Sequence, residues 1–188
     1  MSVLNVKQER QEKRNSLKIG VISDTHSKVK KTKKAINQLI KDGAEFFIHA
    51  GDIVEIEVLD MLEDSGKKYI AVYGNNDTHL FQYHDKYNLV QEPYYFRLAN
   101  TKFKLMHLPF YMNPDTEIII SGHTHFFHAE KKNDTLFLNP GEVCARKKPI
   151  TEFAMLEITE EDFFVTHYEK SEDSKKFTLD DYSFKRSI

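Results

Sequence analysis

Leu17-Lys18-Ile19-Gly20-Val21-Ile22-Ser23-Asp24-Thr25-His26 decides the fold. Leu17 to Ser23 is short, apolar and β-branched, which reads as a buried strand, and the chain then presents an aspartate and a histidine. Val29, Ala35, Ile36, Leu39 and Ile40 follow at helical spacing, and Gly43 sits where a helix would stop. The same succession then recurs. Glu45 to Ala50 reads as a strand running into Gly51-Asp52, and Val54 to Ser65 as a helix carrying Val58, Leu59, Met61 and Leu62. Tyr69 to Tyr73 reads as a third strand, running into Gly74-Asn75-Asn76-Asp77. Strand and helix in alternation imply parallel strands joined by right-handed crossovers.

Beyond this half the pattern becomes antiparallel. Tyr94–Ala99 and Lys102–His107 flank Asn100-Thr101 as a hairpin. Phe126–Lys132 and Thr135–Leu138 flank Asn133-Asp134 as another, with a strand over Glu117–Ser121 between the two hairpins. Phe153–Ile158 and Phe163–Tyr168 bracket a charged turn. The resulting organisation is a polar N-terminal arm over 1–16, one domain over 17–168 and a polar C-terminal tail over 169–188.

The polar residues gather just past the carboxyl ends of the strands: Asp24 and His26, Asp52, Asn75, His107, and His123 with His125. In an open α/β sheet this edge is where ligands bind. Asp24 and His26 are two apart, as are His123 and His125, so on extended backbone each pair faces one side. Carboxylate, imidazole and a carboxamide, without thiolate, suit Mn, Fe, Zn, Co or Ni better than Ca or Mg. Seven such groups exceed what one tetrahedral ion takes; two ions bridged by a carboxylate would use them all.

The ordered set Asp24-x-His26, Gly51-Asp52, Gly74-Asn75-x-Asp77, His107 and Gly122-His123-x-His125 resembles the calcineurin-like metallophosphoesterases, in particular their small single-domain bacterial and archaeal phosphodiesterase branch. Asn139-Pro140-Gly141 looks like that branch's closing loop. The resemblance implies a four-layer αββα sandwich, two mixed sheets face to face with helices outside. It implies a first metal held by Asp24, His26, Asp52 and His125, and a second by Asp52, Asn75, His107 and His123, with Asp52 bridging. Mn is the expected metal, with Fe, Zn, Ni and Co as alternatives. The implied reaction is hydrolysis of a phosphate ester, foremost a diester, by a metal-bridging hydroxide. Within the set Asp52, Asn75 and His123 are assigned the catalytic part.

Three departures stand out. Many relatives follow the metal-binding asparagine with an acid; here Asn76 follows, and an amide cannot protonate a leaving group. Leu108-Pro109-Phe110-Tyr111 follows His107 where relatives place glycine. The stretch from His107 to Gly122 is short for the helix relatives have there. Asn76, Lys28 and Tyr111 are the substrate-binding candidates: Lys28 opens a lysine run reaching Lys34 and directly follows the Asp24–His26 loop, and Tyr111 offers a ring for stacking. His49 reads as a core histidine, and Asp77 as support for the Asn75 loop.

Bulk properties narrow the classes. The chain of 188 residues suits one domain. Its single cysteine, Cys144, rules out an intrachain disulfide and a Cys-x-x-Cys zinc site. No apolar stretch is long enough for a membrane span, and the first residues carry no export segment, so a cytoplasmic enzyme is expected. A net charge of −2 weighs against a nuclease or other nucleic-acid partner and leaves a small phosphate ester as the expected substrate. Aromatics in the second half admit a homodimer. The other class is a protein-interaction scaffold of the same fold with weak catalysis.

Overall fold

Alternation along β1 (Leu17–Ile22) places Ile19 and Val21 on one face and Gly20 and Ile22 on the other, and both faces are covered. The computed structural model describes residues 16–187. After β1 come α1 (Val29–Lys41), β2 (Phe46–His49), α2 (Ile56–Asp64) and β3 (Lys68–Val72). A short 3₁₀ helix over Thr78–Tyr83 leads to β4 (Leu89–Val90). There follow β5 (Tyr94–Leu98), β6 (Thr101–Leu105), β7 (Ile118–Ile120), β8 (Phe127–Lys132), β9 (Thr135–Pro140), β10 (Ile150–Ile158), β11 (Asp162–Ser171) and β12 (Thr178–Lys185).

The strands form two mixed sheets. The larger runs β12-β11-β10-β1-β2-β3-β4 and the smaller β5-β6-β7-β9-β8. From β1 to β4 neighbours are parallel, as the strand–helix alternation requires; β10, β11 and β12 add antiparallel strands on the other side. Each helix buries one stripe, Ala35, Ile36 and Leu39 from α1 and Val58, Leu59 and Leu62 from α2, against Ile22, Phe47 and Ala71 of the larger sheet. The opposite face of that sheet, with Ile19, Val21, Ile48 and Val72, meets Phe103, Leu105, Ile118, Ile120, Leu136 and Leu138 of the smaller one. Burying one such side chain contributes roughly 1.5–3 kcal/mol, so this double layer is the main source of stability.

Outside the smaller sheet, among the described residues, the fourth layer is the irregular segment 106–117 in place of a helix. Lys104 anchors it. This lysine lies on the outer face of β6, is 1% exposed, and donates to the carbonyls of Tyr111 at 2.9 Å and Asn113 at 2.7 Å while pairing with Asp115.

The expected polar tail is corrected: β11 runs on to Ser171, and β12 pairs along it from Glu169↔Thr178 to Asp162↔Lys185. Phe184 packs between the sheets and Phe177 against the helix-side core. The strand reads as polar because it is an edge, exposed along most of its length and held chiefly by its ladder to β11. The N-terminal arm, apart from Ser16, lies outside the described residues.

Candidate metal centre

Five loops meet at the carboxyl ends of β1, β2, β3, β6 and β7. Backbone hydrogen bonds stitch them: Asp24 N to Gly51 O at 3.0 Å, His26 N to Asp52 O at 3.0 Å, and Gly122 N to His107 O at 3.1 Å. Gly122 allows the closest approach. A Cβ there would stand 2.2 Å from Ser23 Oγ and 2.5 Å from Ala50 O, so any other residue would push the histidine loop off β1 and β2. Gly74 plays the same part under Asp52, whose backbone nitrogen would lie 2.2 Å from an added Cβ.

Asp24, His26, Asp52, His123 and His125 all have left-handed backbone, with φ of 51°, 42°, 54°, 66° and 66°. The pairing of Asp24 with His26 and of His123 with His125 therefore does not come from strand pleating, which corrects the extended-backbone expectation. The side chains converge because each loop coils tightly as it leaves its strand. Such backbone costs an L-residue about 1–2 kcal/mol and persists only where surrounding bonds fix it. Here the interloop bonds do so, reinforced by Asp24 Oδ2, which accepts from Ser23 Oγ at 2.6 Å and from His123 N at 3.1 Å.

All seven expected ligands come together. Asp52 Oδ2 lies 3.6 Å from His26 Nε2, and its Oδ1 3.5 Å from His107 Nε2, so this carboxylate stands between two groups. On one side His125 Nε2 is 3.3 Å from Asp24 Oδ1. On the other, Asn75 Oδ1 is 3.1 Å from both His107 Nε2 and His123 Nδ1.

The hydrogen-bond directions show what belongs between them. His107 Nδ1 donates to Ala50 O at 2.8 Å, so a neutral His107 turns an Nε2 lone pair toward Asn75 Oδ1 and Asp52 Oδ1. His125 Nδ1 donates to Glu142 Oε2 at 2.5 Å, so its Nε2 lone pair faces Asp24 Oδ1. Asp24 Oδ1 and His26 Nε2 are buried without a hydrogen-bond partner. Acceptors thus face acceptors, an arrangement that a cation or a proton relieves. With metal–ligand bonds of about 2.0–2.2 Å, neighbouring ligands around one ion sit roughly 3–3.5 Å apart, the spacing found here. The residues present fit divalent metal.

Electrostatics agree. Burial pushes the Asp24 carboxyl up, against the pull of Ser23, His107 and His125. Asp52 is also pushed up by burial, but donors from His107 and Asn76 outweigh it and hold the carboxyl well below the usual range. Burial lowers His107 in turn, and Asp52 more than reverses this, so the net direction is upward. Without metal, a proton on His107 relieves the facing acceptors.

The supporting residues were only partly foreseen. Asp77, expected to brace the Asn75 loop, accepts from Gly74 N at 2.7 Å, Val54 N at 2.8 Å and Ile53 N at 3.1 Å. His49 is fully buried, accepting from Gly51 N at 3.2 Å and bonding Thr25 Oγ1 at 3.0 Å. Glu142 and Glu92 went unnoticed in the sequence. Glu142 fixes His125, and Glu92 accepts from the backbone nitrogens of His107 and Leu108 at 2.5 and 2.8 Å. A lone glutamate in a polar loop carries no local signal. Cys144 is buried and its thiol is pushed far up, first by burial, which makes it inert.

Of the substrate candidates, Asn76 lies at the centre, donating to Asp52 from its backbone at 3.0 Å and its side chain at 2.8 Å. Lys28 caps α1 two residues past His26, with an exposed side chain. Tyr111 is tied through its carbonyl to Lys104 on the outer face of the smaller sheet, and none of its contacts among the described residues reaches the cluster.

The model of the calcineurin-like phosphoesterase superfamily domain matches residues 17–161. A phosphodiesterase of Methanocaldococcus jannaschii is 28% identical over 160 residues, covering 78% of this chain and 96% of that protein. The solved structure of a novel archaeal phosphodiesterase superposes with a TM-score of 0.65 at 25% identity, covering 89% of this chain and all of that one. Vacuolar protein sorting 29 from Cryptosporidium parvum superposes with a TM-score of 0.74 at 19% identity, over 92% of this chain and 100% of that one, a likeness of fold.

Proposed function

This chain belongs to the calcineurin-like phosphoesterase superfamily, and on that premise we propose that it is a dinuclear metal-dependent phosphodiesterase. The observation that carries the reading is the convergence of facing acceptors around Asp52, which call for positive charge on both sides of one carboxylate. Asp24, His26, Asp52 and His125 would hold one divalent ion; Asp52, Asn75, His107 and His123 would hold the other. Mn is the first choice, and the same N and O donors suit Fe, Zn, Ni or Co. When bound, the pair would generate a hydroxide nucleophile near neutral pH and neutralise charge on the phosphoryl oxygens.

The chain's own residues do the rest. Ala50 O and Glu142 hold His107 and His125 in the tautomers that present Nε2 inward. His123, exposed beside Asn75, would meet an incoming phosphoryl oxygen. Asn76 can donate hydrogen bonds to substrate but no proton, which favours esters whose leaving group departs unaided. Lys28 adds positive charge at the rim.

The test is hydrolysis of an activated aryl phosphodiester and the matching monoester with added Mn, in the native protein and in Asp52→Asn. Activity should depend on metal, favour the diester and drop at least about a hundredfold in the variant. Unchanged turnover in Asp52→Asn overturns the two-metal reading. Tight metal binding without turnover in any metal points instead to a protein-binding scaffold, for which the likeness to vacuolar protein sorting 29 is a precedent of fold.

A further inference from the structure

A second group of metal-ligating side chains lies away from the centre just described. Glu152 on β10 and His167 and Glu169 on β11 face the gap between the two sheets, on the same side as Ala154, Leu156, Phe163 and Val165. Glu152 pairs directly with Glu169 across the ladder, and His167 with Ala154 one step along. One donor atom from each of the three residues lies within 4.8 Å of the others.

The cluster is buried and incompletely satisfied. Glu152 is 1% exposed and His167 4%. His167 Nε2 stands 3.2 Å from a Glu152 oxygen and Lys148 Nζ 2.5 Å from the other, but neither contact has hydrogen-bond geometry. Glu152 Oε2 and His167 Nε2 are left without hydrogen-bond partners. Native proteins rarely leave such atoms bare, and a bound ion is one of the standard reasons. The ring of His167 is also held in place: Phe127 of β8 stacks on it with centroids 3.7 Å apart and planes 10° apart. An imidazole oriented by stacking, with its Nε2 lacking a hydrogen-bond partner, beside two carboxylates, is a preformed ligand set.

We infer that Glu152, His167 and Glu169 form a second, structural site for a divalent transition ion. One nitrogen and two carboxylates select Zn, Mn or Co over Ca or Mg. Asp180 of β12 lies directly across from His167 in the ladder and on the same face, so it is the group within reach of a fourth position. Lys148, whose side chain is 28% exposed and whose Nζ also lies 5.3 Å over the Phe126 ring, neutralises Glu152 in the absence of metal and would move toward solvent when an ion arrives. The consequence is mechanical. An ion held by β10, β11 and β12 would clamp the exposed edge strand β12 onto the sandwich.

The site is tested in a protein whose central cluster is disabled on both sides by Asp52→Asn, His107→Gln and His125→Gln. Zn is titrated by calorimetry, with backbone hydrogen exchange followed across β12. One equivalent of Zn should still bind, and exchange over Thr178–Lys185 should slow at least about tenfold when it does. Adding His167→Phe, which keeps the stacked ring, should abolish both effects. Adding Glu169→Gln instead, at a partly exposed position that leaves the Glu152–His167–Lys148 contacts alone, should weaken binding at least about tenfold. The inference is overturned if the disabled protein takes up no Zn, if Zn binds equally well in the His167→Phe or Glu169→Gln background, or if exchange in β12 ignores the ion.

Discussion

Replacing Glu142 by glutamine removes the charge that holds His125 and keeps the shape. Glu142 is fully buried and accepts from His125 Nδ1, from Cys144 Sγ at 3.1 Å and from the backbone nitrogens of Lys147 and Lys148 at 2.7 and 2.9 Å. Burial alone would raise this carboxyl; the donors, His125 foremost, outweigh it and bring it from 4.5 down to about 2. At about 1.36 kcal/mol for each tenfold change in acidity, that is roughly 3 kcal/mol of stability at neutral pH. The sign follows from the lowered value. The contribution is complete above the unfolded 4.5 and is lost as pH falls toward 2, leaving about 1 kcal/mol at pH 3. Urea denaturation of the metal-free protein should therefore show Glu142→Gln about 3 kcal/mol less stable at pH 7, with the gap narrowing to about 1 kcal/mol at pH 3. A glutamine can also present its N–H₂ to Nδ1, which moves the imidazole proton to the metal-facing Nε2. Metal affinity at neutral pH should fall about 10- to 100-fold. A gap that stays constant from pH 7 to pH 3, with native metal affinity, would refute both the assigned charge and the tautomer.

Gly122→Ala forces a methyl into Ser23 Oγ and Ala50 O; it should cost about 1–3 kcal/mol in thermal or urea unfolding and at least about tenfold in metal affinity by calorimetry. His49, pushed by burial from 6.5 to about 3, stays neutral in the fold while the unfolded chain takes up a proton below 6.5, so its stability contribution is full above 6.5 and lost on acidification. Between pH 7.5 and 5 that loss is about 2 kcal/mol, and His49→Asn, which keeps an acceptor for Gly51 N, should remove it from the pH dependence of urea unfolding. Lys104→Met strips three acceptors of their cation; about 3 kcal/mol of stability should go, and hydrogen exchange should quicken over residues 108–116 while the sheets stay protected.

The strands and helices that build the larger sheet up to β3 were readable because their apolar periods, two and then near four, are local properties of the chain. The convergence of the strand-end side chains was readable for a related reason: in such a sheet the residues just past each strand lie on one edge, so order along the chain predicts their meeting. Glu142 and Glu92 were not readable, because each acts on a histidine from a loop of its own with no pattern around it. Nor was the backbone of Asp24, His26, His123 and His125. Spacing by two fits extended chain as well as it fits the left-handed turns found, and only the interloop hydrogen bonds select the latter.

By itself the sequence determined the parallel strands and helices of the first half, the antiparallel pairs of the second and the seven groups just past the strand ends, since alternation and strand-end chemistry are written residue by residue; the doubled sandwich was implied by the resemblance those motifs carry. Tertiary structure alone decided which imidazole nitrogen faces inward, that Lys104 pins the short segment after His107 as an irregular layer, and that a polar-looking end is the strand β12. Each of these depends on a partner brought near by folding, such as Ala50 O for His107, Tyr111 O for Lys104 and the β11 ladder for β12, and a hydrogen bond between distant residues leaves no periodic trace in the chain.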